Sequence, residues 1–181
     1  MSKTSAAAAK ALTSSHFELF GLPPAFSLDL SSLDAAYRDI QSRVHPDRHA
    51  RAGDAERRAS MQMTTRVNEA YRTLRSPVRR ARYLLELQGV DVGFETDTAM
   101  PRDFLVQQME LREQLEEAKD GAALDALNRS LNSQKRDLER QIQEQIDSKR
   151  DFDHAKTLVR KLMFLDRLGE ELDAAYAALE G

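Results

Sequence analysis

His45, Pro46 and Asp47 are the consecutive residues of this chain whose types most plainly suggest chemistry. An imidazole exchanges protons near neutral pH, and a carboxylate accepts hydrogen bonds or pairs with a cation. Two enzymatic readings come first, and both fail. His45 and His49 have the spacing of a helical zinc pair, but Pro46 breaks helical geometry between them and no third ligand is evident. A His–Asp pair serves a hydrolase when the carboxylate orients the imidazole toward a nucleophile. Neighbours in sequence do not orient one another in that way, and no G-x-S-x-G motif is present. No catalytic residue, metal or cofactor is therefore expected, and an enzyme is the least favoured class. Recognition remains. Pro46 fixes its own φ and cannot continue a helix, so it presents His45 and Asp47 at a stiffened helix exit, where they suit contact with a partner. Arg38, Arg43, Arg48 and Arg51 make the neighbourhood basic.

The elements that would hold this tripeptide are helices. The 181 residues include only seven Gly and five Pro, with 41% hydrophobic and 31% charged residues, and no strand-like alternation persists. The composition predicts an all-α protein. Leu33, Ala36, Tyr37, Ile40 and Val44 recur at helical spacing. Ser31 or Ser32 can cap this helix, which should stop near Val44 because the residue before Pro46 is disfavoured in the α region. After a polar loop, Asp54 can cap a second helix carrying Met63, Val67, Ala70, Tyr71 and Leu74 on one stripe. The pair reads as a helical hairpin. Ser76-Pro77 starts a further helix through Tyr83, Leu84 and Leu87 to Gly89.

Residues 1–14 read as a flexible polar tail, 15–88 as one module with its connecting helix, 89–99 as a linker, and 100–181 as a bundle of three helices. The bundle helices are expected from about Pro101 to Lys119, from near Ala122 through Ile146, and after Asp151. Charge divides along the same line. Residues 1–88 carry 14 basic and 9 acidic side chains, whereas residues 89–181 carry 13 and 21, which suggests two modules with different partners. The absence of cysteine excludes disulfides, thiolate metal sites and a cysteine nucleophile. No apolar run approaches the roughly 18–20 residues that span a bilayer, and the N-terminus lacks a long apolar core of signal type, so no membrane partner is expected.

A His-Pro-Asp tripeptide alone is equally an ordinary helix stop. Its setting is more specific: it lies between two amphipathic helices, beside a basic loop, and the second helix ends in NEAYRTL. Over about residues 15–75 this arrangement resembles the J domain of DnaK-family co-chaperones. The resemblance implies that His45, Pro46 and Asp47 stimulate ATP hydrolysis by such a chaperone. It also implies that Tyr37, Arg38, Gln41 and Arg48 belong to the docking face.

The stretch PRDFLVQQMELREQLEEAK carries more apolar residues than one buried face can use. At about 100° per residue, Phe104, Leu111, Leu115 and Ala118 fall on one core line, while Leu105, Val106 and Met109 fall roughly 100–200° away beside Glu110 and Glu113. The surplus cluster must pack on the N-terminal module or meet a partner, and an apolar patch rimmed by carboxylates suits a partner. Phe164 also lies off its helix's main stripe and can complete the patch.

An N-terminal J domain, a linker, and a bundle containing FLVQQMELREQLEE and RKLMFLDRL together resemble the HscB family, the J-type co-chaperones of iron–sulfur cluster assembly. NEAYRTLRSPVRRARYLLELQG is similar to that family's connecting stretch. The resemblance implies an HscA-type chaperone and an IscU-type cluster scaffold as partners. It places scaffold binding on Leu105, Val106, Met109, Glu110, Glu113 and Phe164. Val106 and Met109 depart from the commonest pattern, Met and Leu, but both remain apolar. The cysteine pairs of eukaryotic members are absent, which points to a bacterial-type, cytoplasmic protein. A J-domain co-chaperone with another client would share the tripeptide but not the scaffold. A rival from a different class is a basic helical module binding nucleic acid through Arg57, Arg58, Arg72, Arg75, Arg79, Arg80 and Arg82, which a steep salt dependence of DNA binding would reveal.

Overall fold

The computed structural model describes residues 14–44, 53–93 and 100–180, and every regular element among them is helical. The chain forms two compact units that divide between Tyr83 and Leu84.

The first unit begins with α1 (His16–Leu19), closed by a reciprocal capping box. Ser15 Oγ accepts from the Glu18 N–H, and the Glu18 carboxylate accepts from the Ser15 N–H. Helices α2 (Leu30–Val44) and α3 (Asp54–Arg75) follow, with α4 (Pro77–Leu87) starting at the expected Ser76-Pro77. Helix α2 is described as far as Val44, and its expected stop before Pro46 lies at the edge of the described residues. Its start corrects the expected cap. Asp29, not Ser31 or Ser32, accepts from both of their N–H groups and both hydroxyls. At the second helix the N-cap is Gly53, and Asp54 lies inside the first turn, where it pairs with Arg57. Contacts between α2 and α3 run in opposite directions along the two helices: Asp34 meets Tyr71 and Arg75, Tyr37 meets Asn68, and Val44 meets Ser60. The hairpin is therefore antiparallel. Leu33, Val67, Ala70 and Leu74 are fully buried in it, while Met63 and Tyr71 of the same stripe are half-buried.

The cap carries a testable pH dependence. Hydrogen bonds from the Ser31 and Ser32 side chains hold the Asp29 carboxyl at about 2, against its ordinary 3.8. Because the folded value is the lower one, the stabilisation is fully present above the ordinary value and is lost as pH falls from about 4 toward about 2. Thermal midpoints at pH 5 and pH 2 should differ more for the wild type than for Asp29→Ala. Equal acid sensitivity would remove the cap from this account.

In the second unit, α5 (Arg102–Glu117), α6 (Gly121–Gln143) and α7 (Phe152–Glu180) form the three-helix bundle. Helix α5 stops two residues short of the expected Lys119, because Ala118 turns to extended backbone and Asp120 caps α6 by accepting from the Ala123 N–H at 2.8 Å. Asp125 meets Tyr176 and Lys135 meets Asp166, so α6 and α7 are antiparallel. Phe104 meets Phe164 and Arg112 meets Glu171, so α5 runs parallel to α7. Leu111, Leu124, Leu127, Leu131, Leu165, Leu168 and Leu172 make the shared core. Leu115 and Ala118 pack against it, as the core line on α5 predicts.

Two features were not expected. Residues Glu144–Lys149 extend α6 as a π-helix that turns both Gln145 and Ile146 inward. It ends at Arg150, whose φ of 58° is left-handed, and the Asp151 N–H bonds back to the Gln145 carbonyl at 3.0 Å. A side chain there is strained by about 1 kcal/mol. Arg150→Gly should therefore raise the thermal midpoint, and a lowered midpoint would show that the Arg150–Phe152 ring contact outweighs the strain. The stretch read as a linker, 89–99, begins as packed chain. Val92 is fully buried, and the buried Arg160 donates to the Val92 and Gly93 carbonyls at 3.4 and 2.8 Å. Residues 94–99 lie outside the described part.

Candidate functional site

His45, Pro46, Asp47 and Arg48 lie outside the described residues, as does His49; the helices on either side of them are described. Tyr37 and Gln41 face α3. The Tyr37 hydroxyl donates to Asn68 Oδ1 at 3.0 Å, and the Gln41 amide donates to both the Tyr37 oxygen and Asn68 Oδ1, at 2.8 and 2.5 Å. The Tyr37 ring also stacks on Tyr71, with centroids 4.0 Å apart. Both side chains are half-buried, so they brace the hairpin in addition to any role on its surface. Arg38 is exposed.

Asn68 was missed in the sequence, although it stands at the head of NEAYRTL. So was the Asp34–Tyr71–Arg75 cluster, in which Tyr71 and Arg75 donate to Asp34 Oδ1 at 2.8 and 2.7 Å. The Tyr71 hydrogen bond, then Arg75 and the charge of Arg38, hold the Asp34 carboxyl below the usual carboxylate value. Asp34 therefore stays ionised under mildly acidic conditions and partly offsets the arginines around it.

The basic face is smaller than the sequence suggested. Arg80 is buried, donates to the Leu74 carbonyl at 2.6 Å and lies over the Phe26 ring. Arg75 is held by Asp34, and Arg57 by Asp54. Three of the seven arginines considered for nucleic acid thus serve the unit's own structure.

On α5, Leu105, Val106 and Met109 are 45%, 50% and 64% exposed, while Phe104 and Leu111 on the other side of the helix are buried. Glu110 and Glu113 are exposed beside the apolar three. The helix thus presents an uncovered apolar strip of its own. Phe164 sits differently from the other five residues. It is half-buried against the core, its ring meets the edge of Phe104 at 5.8 Å, and the Arg112 guanidinium lies over it. Its contacts lie at the junction of α5 with α7.

Residues 15–83 match the DnaJ domain, and residues 100–173 match the HSCB C-terminal oligomerisation domain. The chain belongs to the HscB co-chaperone family. Relatives described as co-chaperone protein HscB homologs include one from Burkholderia multivorans, 51% identical over 93% of this chain and 98% of its own length. Another, from Burkholderia thailandensis, is 52% identical over the same shares. Among solved structures, chaperone HscB from Vibrio cholerae is 38% identical with a TM-score of 0.82, over 92% of this chain and 99% of that one. Human co-chaperone HscB is 30% identical with a TM-score of 0.86, over 90% and 82%. Both match along most of the chain, so the HscB architecture of a J domain and a helical C-terminal domain accounts for both units. Among the described residues no helix is long and apolar enough to cross a membrane, and no cluster of three or more His, Asp or Glu could hold a metal ion.

Proposed function

We propose that this protein is an adaptor between an IscU-type iron–sulfur cluster scaffold and an HscA-type chaperone, acting in the cytoplasm. The scaffold docks on Leu105, Val106, Met109, Glu110, Glu113 and Phe164. The tripeptide His45, Pro46 and Asp47, with Arg38 and Arg48 beside it, engages the chaperone and stimulates its ATP hydrolysis. Tyr37 and Gln41 hold the helix that leads to it.

The exposed strip of Leu105, Val106 and Met109 on α5 is the observation that carries this reading. A bundle with its own leucine core does not need these residues for folding, and apolar surface beside carboxylates is suited to a protein partner. The strip and the tripeptide lie on different units, so one chain can hold client and chaperone at once. Tethering makes the second encounter intramolecular and raises its effective concentration. With no cysteine, the chain has no thiolate with which to carry a cluster itself, so the cluster travels on the scaffold.

The test is the ATPase rate of an HscA-type chaperone with this protein, with and without the scaffold. Stimulation that grows further with the scaffold is expected. Stimulation indifferent to the scaffold would reopen the identity of the client, and none at all would reduce the tripeptide to a helix stop.

A further inference from the structure

Phe164 is the member of the proposed scaffold site that stands on α7 rather than α5. Its ring is held from more than one direction. From the core side the buried Phe104 ring meets it edge-on, at 85° and 5.8 Å between centroids. The Arg112 guanidinium lies over it, 5.8 Å from its centroid. A cation in that place is attracted by the negative face of the ring. Arg112 also pairs with Glu171 at 3.6 Å, seven residues beyond Phe164 on α7. The guanidinium therefore rests along α7, over Phe164 and beside Glu171.

Arg112 leaves α5 from the side of the apolar strip. At about 100° per residue it falls roughly 20° from Leu105 and roughly 60° from Met109. It thus joins the face that carries the strip to the ring of Phe164. Stability does not account for it. The Arg112 and Glu171 side chains are 53% and 41% exposed, and an ion pair that open adds little to folding. What the contact does fix is the orientation of a half-buried ring. A side chain already held in its bound orientation loses less freedom when a partner arrives.

We propose that Arg112 is a positioning residue for scaffold docking. Anchored by Glu171, its guanidinium holds the Phe164 ring in the orientation that the scaffold meets. The inference rests on the function proposed above and adds a residue to the same site. It acts through Phe164, so its effect on binding should vanish when the aromatic ring is gone.

The experiment titrates an IscU-type scaffold calorimetrically with the full-length wild type, Arg112→Met, Arg112→Lys, Phe164→Leu and the double variant Arg112→Met with Phe164→Leu. Thermal melts are recorded alongside. Arg112→Met keeps the apolar stem and loses the charge. It should raise Kd about fourfold, the worth of one side chain left to be ordered on binding. Its thermal midpoint should stay within about 2 °C of the wild type. Arg112→Lys still offers the ring a cation and should bind within about twofold of the wild type. Phe164→Leu keeps apolar bulk against the core but has no π face. In that background Arg112→Met should change Kd by less than about 1.5-fold. The proposal is overturned if Arg112→Met binds like the wild type, or if Arg112→Lys is as weak as Arg112→Met. It is also overturned if the loss is the same with Leu at 164, since Arg112 would then act on the scaffold without the ring. A midpoint lowered by several degrees in Arg112→Met overturns it too, as Arg112 would be a folding element. A wild type that does not bind the scaffold defeats the proposed function itself, and this inference with it.

Discussion

Replacing His45 with glutamine is expected to return the chaperone's ATPase to its basal rate, while scaffold binding and helical content stay unchanged. Glutamine keeps a donor and an acceptor of similar reach but loses the imidazole ring, its geometry and its capacity for charge. The described part of the hairpin has contacts of its own. Its core is Leu33, Val67, Ala70 and Leu74, and its polar cross-links run through Tyr37, Gln41, Asn68, Asp34 and Ser60. His45 lies outside the described residues, and these contacts are made by others. Circular dichroism and an ATPase titration decide the matter together. A large loss of helicity would make His45 structural, and full stimulation would leave the tripeptide without a trigger role.

The complementary variant, Leu105→Ala with Met109→Ala, should do the reverse. Scaffold affinity should fall by roughly 1–4 kcal/mol if these residues anchor the interface, which is about fivefold to a thousandfold in Kd. Stimulation measured without the scaffold should not change. The fold should also tolerate the change, because side chains that are 45% and 64% exposed leave no cavity when truncated. A neighbouring core position gives the contrast: Leu111→Ala, at 4% exposure, should cost about 2–5 kcal/mol of stability. Isothermal titration against the scaffold, with thermal melts of each variant, separates the two effects. Unchanged affinity in the double variant would remove the strip from the proposed function. Together with His45→Gln, the pair tests whether chaperone activation and client binding reside on separate units.

Much of this was legible in the residues. Helical periodicity located the hairpin and the bundle because burial on one face repeats along a helix whatever it packs against. Pro46 set the expected end of α2 through its own covalent geometry. The two apolar faces of α5 were visible because three apolar residues stood away from a line already full. Periodicity describes one helix at a time, however, and several features depend on two. Tyr37 stood on the apolar stripe and Gln41 on the docking face that the resemblance implied, but neither position told that Asn68 stands opposite them. Phe164 read as part of the open strip, but it lies half-buried against Phe104. Arg80 read as part of a basic face, yet it is buried with its guanidinium on a backbone carbonyl, and Arg160, which no sequence feature singled out, is buried in the same way.

The caps show the same division on a smaller scale. Asp29, Ser31 and Ser32 are all good capping residues, and a shift of one turn decides which of them accepts and which donate. The π-helical turn at Glu144–Lys149 and the left-handed Arg150 leave no mark in a hydrophobic pattern, because they answer to where α7 must start. Residue type and spacing therefore established the helices, the tripeptide and the surplus apolar cluster, all of which are local properties of the chain. Tertiary packing alone set which polar groups pair across helices, because a hydrogen bond between α2 and α3 depends on a register and a distance that neither helix encodes by itself.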